Sequence, residues 1–193
     1  TTTNDNITLN SATTLTGDVT LDSGSGTIAL NGTVDGNSNL ILNSTGITDI
    51  NGVIGGTTAI ASIITSAAGT TDLGANISVS AGGMNFNDAV TQSADVTLTS
   101  ASSPISFAST INGGGNALTL NGGAGGAIAV TGAASNISTL TITDSASSTF
   151  TGTVQATTVA LTDTTGAITF NNNLTAGTLT SAANGHSVVL NGT

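Results

Sequence analysis

The sequence predicts an all-β chain folded as a parallel β-helix, a β-solenoid of roughly nine rungs of about 20 residues, in a single domain over residues 1–193. Three observations carry this prediction. Residues 27–46, TIALNGTVDGNSNLILNSTG, return in recognisable form at 104–123 as PISFASTINGGGNALTLNGG. Ile28, Leu30 and Val34 correspond there to Ile105, Phe107 and Ile111, and after a single inserted residue Leu40, Leu42 and Asn43 correspond to Leu118, Leu120 and Asn121. Shorter copies, each an alternating strand followed by Asn or Thr, recur as ITLN (7–10), ITDIN (47–51), MNFN (84–87), IAVT (128–131), ITFN (168–171) and VVLN (188–191). Finally, the apolar fraction of 37% consists mainly of Ala, Val, Ile and Leu set among Thr, Ser, Gly and Asn, a mixture of strand formers and corner formers.

Along the chain, Ile7-Thr8-Leu9 and Val19-Thr20-Leu21 alternate apolar with small polar residues, the period of a strand with one buried and one exposed face. The rung at 27–46 places Ile28, Leu30, Val34, Leu40 and Leu42 inward, with Asn31-Gly32 and Asp35-Gly36 as corners. A longer rung at 47–69 uses Ile50, Ile54, Ile60 and Ile63. A shorter piece at 70–82 uses Leu73, Ile77 and Val79, and the next, 83–103, uses Met84, Phe86, Val90, Val96 and Leu98. Pro104 opens the following rung at a first strand position, where the missing N–H costs a ladder least. Three further rungs follow: Ile128, Val130, Ile137, Leu140 and Ile142; then Phe150, Val154, Val159 and Leu161; then Ile168, Phe170, Leu174 and Leu179. The last segment, HSVVLNGT, matches the ALNGTV of the second rung and stops inside a unit, as expected for an excised fragment or a subunit completed by a neighbour.

Antiparallel hairpins or a β-sandwich are the structural rival, because Asn-Gly, present at Asn31, Asn51, Asn112, Asn121, Asn184 and Asn191, is the strongest short hairpin signal. Recurrence at one rung length favours in-register stacking instead, and a sandwich core so poor in aromatics would be unusual. Disorder requires low hydrophobicity without pattern, and neither condition is met.

Composition narrows the function. There is no Lys or Arg, and the ten charged side chains are all Asp, for a net charge of −10. Nucleic acid and anionic membrane surfaces are held by cationic side chains, which argues against both as partners. Four Phe with no Trp or Tyr leave few anchors for hot spots or stacked sugars. Without Cys there is neither a disulfide framework nor a thiolate metal site. No run approaches the roughly 18 apolar residues of a membrane span, so no membrane insertion is expected. TTTNDNITLN lacks the features of a signal peptide, so any secretion signal is expected outside this sequence.

The units GTIALNGTVDGNSNLILN, INGVIGGTTAIASIITSAAGTTDL and MNFNDAVTQSADVTLT resemble the degenerate repeats of large secreted bacterial surface proteins of the filamentous-haemagglutinin and autotransporter-adhesin type. The resemblance covers most of the chain. It implies a right-handed parallel β-helix on an exported protein and carries over no catalytic motif.

Asn10, Asn31, Asn51, Asn87, Asn171 and Asn191 each follow the first strand of their rung, so in register their amides would stack as a partial structural ladder. The Asp residues read as solvated corner charges that keep the rod soluble and discourage sideways sheet pairing. Calcium is the competing reading, but no GGxGxD spacing occurs, and only Asp18 with Asp22, or Asp35, would serve as a weak site. No other cofactor is expected. His186 stands without a Cys or Glu in the chain, and no GxSxG elbow accompanies the many Ser, so an enzyme is not expected. Pectinase-like β-helix enzymes need converging carboxylates, which the spacing does not supply. Outward Thr in Leu118-Thr119-Leu120 and Leu140-Thr141-Ile142 raises an ice-binding reading, but positions that align with them include Ile41, Ile64, Ala160 and Val189, which weighs against it.

The expected function is therefore a non-enzymatic, extracellular or cell-surface structural protein whose rungs stack end to end, as a homo-oligomer, into a filament, stalk or surface layer. The alternative is an adhesin segment whose side binds a glycan or a surface protein, with 55–58 and 113–126 as candidate loops.

Overall fold

The computed structural model describes residues 4–162, 165–182 and 185–192. They form a β-solenoid of about nine turns with a spacing near 21 residues, and every strand pairing is parallel. No helix long and apolar enough to cross a membrane occurs among the described residues.

Each turn lays a strand segment on each of three faces. The first face stacks Ile7–Leu9, Ile28–Leu30, Ile47–Ile50, Thr70–Leu73, Ala89–Gln92 and Ile111–Asn112, and continues through the openings of Ala134–Phe150, Val154–Leu161 and Leu174–Ser181. The second begins with Thr13–Thr14 and Val34–Asp35, passes Ile54 and Ile77, and becomes regular from Val96–Ser100 onward. The third stacks Val19–Gly24, Asn39–Ser44, Ile60–Thr65, the close of Ile77–Phe86, Ile105–Phe107, the closes of Leu118–Val130 and Ala134–Phe150, then Ala167–Phe170 and Ser187–Leu190.

Alternation turns the inward strand residues toward one continuous hydrophobic core, and the rung residues Ile28, Leu30, Val34, Leu40, Leu42, Ile50, Ile54, Ile60, Ile63, Leu73, Ile77 and Val79 are all buried. On the third face the stack Phe86, Phe107, Val130, Phe150, Phe170 carries all four aromatics. Phe86 lies on Phe107 and Phe150 on Phe170, each pair at 4.9 Å between ring centroids. Val130 separates the two pairs.

Two details of the sequence-based phasing are corrected. Residues 70–82 and 83–103 are not separate rungs: Met84 and Phe86 close the turn that Leu73 and Ile77 began, and Val90 opens the next. The two clearest repeat copies also do not stack on each other. Ile28 belongs to the first-face column of Ile7 and Thr48, whereas Ile105 stacks between Met84 and Ile128 on the third face. The copies lie roughly three and two-thirds turns of the solenoid apart, so the similarity reports a strand-and-corner unit usable on any face. Pro104, exposed just ahead of Ile105–Phe107, contributes its carbonyl to Met84 N–H at 2.9 Å and needs no N–H of its own.

Candidate functional site

The solenoid's chemistry lies at its corners, at a buried polar cluster and at its two ends. At the corner after the first face, Asn31 Nδ2 donates to Asn10 Oδ1 at 2.9 Å and Asn51 Nδ2 donates to Asn31 Oδ1 at 3.0 Å. Gly74 follows in that column, its N–H bonded to Ile50 O. At the corner after the third face, Asn191 Nδ2 donates to Asn171 Oδ1 at 3.0 Å. Asn87 lies in this same third-face column, but Ala108, Thr131 and Thr151 intervene before Asn171, and its Nδ2 donates to Thr65 O at 2.8 Å. The six asparagines thus fall into two columns on different faces, with five of them bonded to one another.

Most Asp side chains whose contacts are resolved latch one turn to the next. Asp18 accepts from Asn39 N–H at 2.9 Å and from Asn39 Nδ2 at 3.0 Å, and the backbone bond first, then the side-chain bond, hold its carboxyl below the usual range. Asp35 Oδ1 accepts from Thr57 and Thr58 N–H, Asp95 Oδ1 from Ala117 N–H, and Asp72 Oδ1 from the Thr91 hydroxyl. Asp22 Oδ1 accepts from Gly24 N–H within its own corner. Asn4, Asn6 and Asn76 make the same turn-to-turn bonds to Ser25, Thr27 and Thr97 N–H. The ladder expected from the sequence did not include these three. The available signal was an Asn or Asp about one turn upstream of a strand start. The candidate calcium positions Asp18, Asp22 and Asp35 therefore spend oxygens on backbone amides, and no group of three metal-ligating side chains occurs among the described residues. Asp163 lies outside the described residues.

One carboxyl is not at the surface. Asp88 is 3% exposed, at the turn from the third face to the first. Its Oδ1 accepts from Thr65 Oγ1 at 2.8 Å and Thr71 Oγ1 at 2.9 Å, and its Oδ2 lies 2.9 Å from Thr71 Oγ1. Burial raises its pKa more than these hydroxyls lower it. Thr48, directly paired with Thr71 in the ladder, has a buried hydroxyl with no hydrogen-bond partner among the described residues. No pattern of spacing marks this cluster in the sequence, because its members come from successive corners and only stacking brings them together.

His186 Nε2 lies 2.9 Å from Ser181 Oγ, and its Nδ1 has no hydrogen-bond partner among the described residues. A serine–imidazole pair needs a third group to orient the ring before it serves as a nucleophile and base, and the described residues supply none.

The ends of the rod complete the picture. At the first turn, Leu9, Leu15, Val19 and Leu21 rim a cavity of ≈390 Å³ whose floor is Val34 and Leu40. At the last turn, Leu174, Ala176, Leu179 and Leu190 line one of ≈240 Å³, with Leu179 43% and Leu190 55% exposed. The outer edges of Ile7–Leu9 and Ser187–Leu190 pair with nothing beyond them among the described residues. A more polar depression of ≈290 Å³ lies on the side, lined by Asn136, Ser138, Gln155, Thr157 and Thr175 together with Ile137 and Ala156. No known protein family, no curated protein and no solved structure matches this chain.

Proposed function

We propose that this protein is a non-enzymatic structural rod of the cell exterior whose turns stack end to end into a filament, stalk or surface layer. The observation that carries the proposal is that the outermost described turns leave strand edges without a pairing partner, set over aliphatic cavities that water fills at a cost and that a further turn, of this chain or of another copy, would cover. The last turn offers upward-facing edges and the first turn downward-facing ones, so contact between copies is head to tail. A heterologous contact of this kind does not close on itself and propagates as a fibre.

Electron microscopy and sedimentation over a range of protein concentrations test this. Fibres with a strand repeat of about 4.8 Å along the axis are expected. Leu190→Asp, which places a charge on the exposed rim of the last turn without touching the core, is expected to leave the far-UV spectrum unchanged and to stop elongation. Wild-type rods that stay single at every concentration would sink the proposal.

A second reading, an adhesin segment that binds a glycan, draws on the polar side depression around Asn136, Gln155 and Thr175. The loop at 55–58 supports it less, because Thr57 and Thr58 N–H are already bonded to Asp35. Glycan-array binding by wild type that Gln155→Ala removes would favour this reading over the filament.

A further inference from the structure

The second face carries an ordered array of outward threonines in its last five turns. One column runs Thr97, Thr119, Thr141, Ala160, Thr180, and the column beside it runs Thr139, Thr158, Thr178. Leu118, Leu140 and Val159, which alternate with them, are buried, so the threonines point away from the core. Pairing is in register from residue 139 to 142 and throughout 158–161, without the bulges found elsewhere, so this stretch of sheet is regular in both directions.

The positions that argued against an ice face from the sequence are mostly not on this surface. Ile41 and Ile64 pair with each other on the third face, and Val189 pairs with Thr169 there. Of the four, only Ala160 interrupts the array.

The hydroxyls are also left open. Among the described residues, the hydroxyls of Thr97, Thr119, Thr139, Thr141, Thr158 and Thr178 have no protein partner, and that of Thr180 reaches only Val159 O at 3.5 Å. Elsewhere the hydroxyls of Thr71, Thr91, Thr143 and Thr162 are bonded to carboxylates or backbone carbonyls. Among the described residues, no carboxylate stands inside the array. Asp95 lies at its edge with Oδ1 bonded to Ala117 N–H, and Asp144 lies at the corner beyond Ile142.

We propose that this threonine array is an ice-binding surface. Parallel strands repeat at about 4.8 Å across the turns, and alternate residues on one strand repeat at about 6.6 Å, which makes a rectangular net of hydroxyl and methyl groups roughly 19 Å long. Water oxygens on a prism face of hexagonal ice form rows with two spacings in the same range. The β-branched side chain restricts χ1, so threonines in equivalent strand positions present hydroxyl and methyl in a common orientation. Waters held on such a net already occupy near-lattice positions, and the methyls between them exclude mobile water. A glycan or protein partner would call for aromatic or charged anchors, and the net has neither. The array stops toward the first turns because the same face there holds Thr14, Asp35 and the bend at Gly55, where the ladder thins to single bridges. The site lies on the side of the rod and does not depend on end-to-end assembly.

The test is ice-crystal shaping, thermal hysteresis and inhibition of ice recrystallisation by the whole chain. Wild type is expected to facet ice crystals and slow recrystallisation. Thr141→Lys, in the middle of the array, is expected to lose both effects, whereas Thr169→Lys, outward on the third face, keeps them. Ala160→Thr completes the interrupted column and is expected to raise activity above wild type, a gain that a purely structural role for these threonines would not produce. Circular dichroism of each variant establishes that the fold persists. Wild type that leaves ice growth untouched at its solubility limit overturns the proposal, as does a folded Thr141→Lys variant as active as wild type, or equal losses in Thr141→Lys and Thr169→Lys.

Discussion

Asp88 is buried at a corner in a chain without Lys or Arg, so the Thr65 and Thr71 hydroxyls and a backbone N–H, rather than a cation, answer its charge. Desolvation disfavours the ionised form, and the folded protein therefore holds its proton to higher pH than the unfolded chain does. Stability from this group is fully present below the ordinary Asp pKa and is lost as pH rises through the raised folded value, after which it stays low. Asp88→Asn removes the titration while keeping an acceptor for Thr65 and Thr71. The variant is expected to melt a few degrees above wild type at neutral pH, with the difference vanishing at acid pH. Thermal melts of both proteins across that range check it; a variant less stable at neutral pH would mean that the carboxylate is needed charged. Asp18 behaves in the opposite sense. Its lowered pKa favours folding above the ordinary Asp range and is lost as pH falls, but the group is fully exposed and its contribution is small.

At the scale of the element, the corners decide the architecture. Asn-Gly is the preferred dipeptide of tight antiparallel hairpins because both residues tolerate positive φ. Here none of Gly32, Gly52, Gly113, Gly122, Gly185 or Gly192 takes positive φ. At Gly52 the glycine serves close approach instead: a Cβ there would stand 2.0 Å from Gly32 O, a backbone atom of the turn below. Gly52→Ala is expected to cost about 1–3 kcal/mol by forcing two turns apart, measurable as a lower denaturant midpoint at unchanged slope. Beside it, Asn31 both donates and accepts in the amide ladder. Asn31→Ala removes two exposed hydrogen bonds and is expected to cost about 0.5–1.5 kcal/mol. No loss in that variant would mean that the ladder is held by the backbone alone.

For the whole molecule, stability is a sum over turns and the contacts between them. End-to-end addition would convert two solvent-facing turns into interior ones, so fibres are expected to melt above single rods, with a midpoint that rises with protein concentration. A concentration-independent midpoint would speak against assembly. The composition makes a separate prediction for the whole chain: with no Lys or Arg, trypsin should leave it intact even after denaturation, as mass spectrometry would show.

Much of this architecture was legible in one dimension. Alternation places Ile28, Leu30, Leu40 and Leu42 inward whatever their neighbours, because side chains on a strand must point to opposite faces. A unit of about 20 residues is too small to bury its own apolar face, so it had to stack. The absence of cations follows from composition alone. What only the tertiary structure decided is phase: which strand lies on which face. A strand-and-corner unit fits any of the three faces, so sequence similarity could not tell that Ile28 and Ile105 belong to different columns. Nor could it show that Asn51 and Asn171 lie in separate ladders, that Ile41 sits far from Thr141, or that Thr65, Thr71 and Asp88 converge. Those relations depend on turn lengths that vary by a few residues, and a shift of that size moves a side chain from one face to the next.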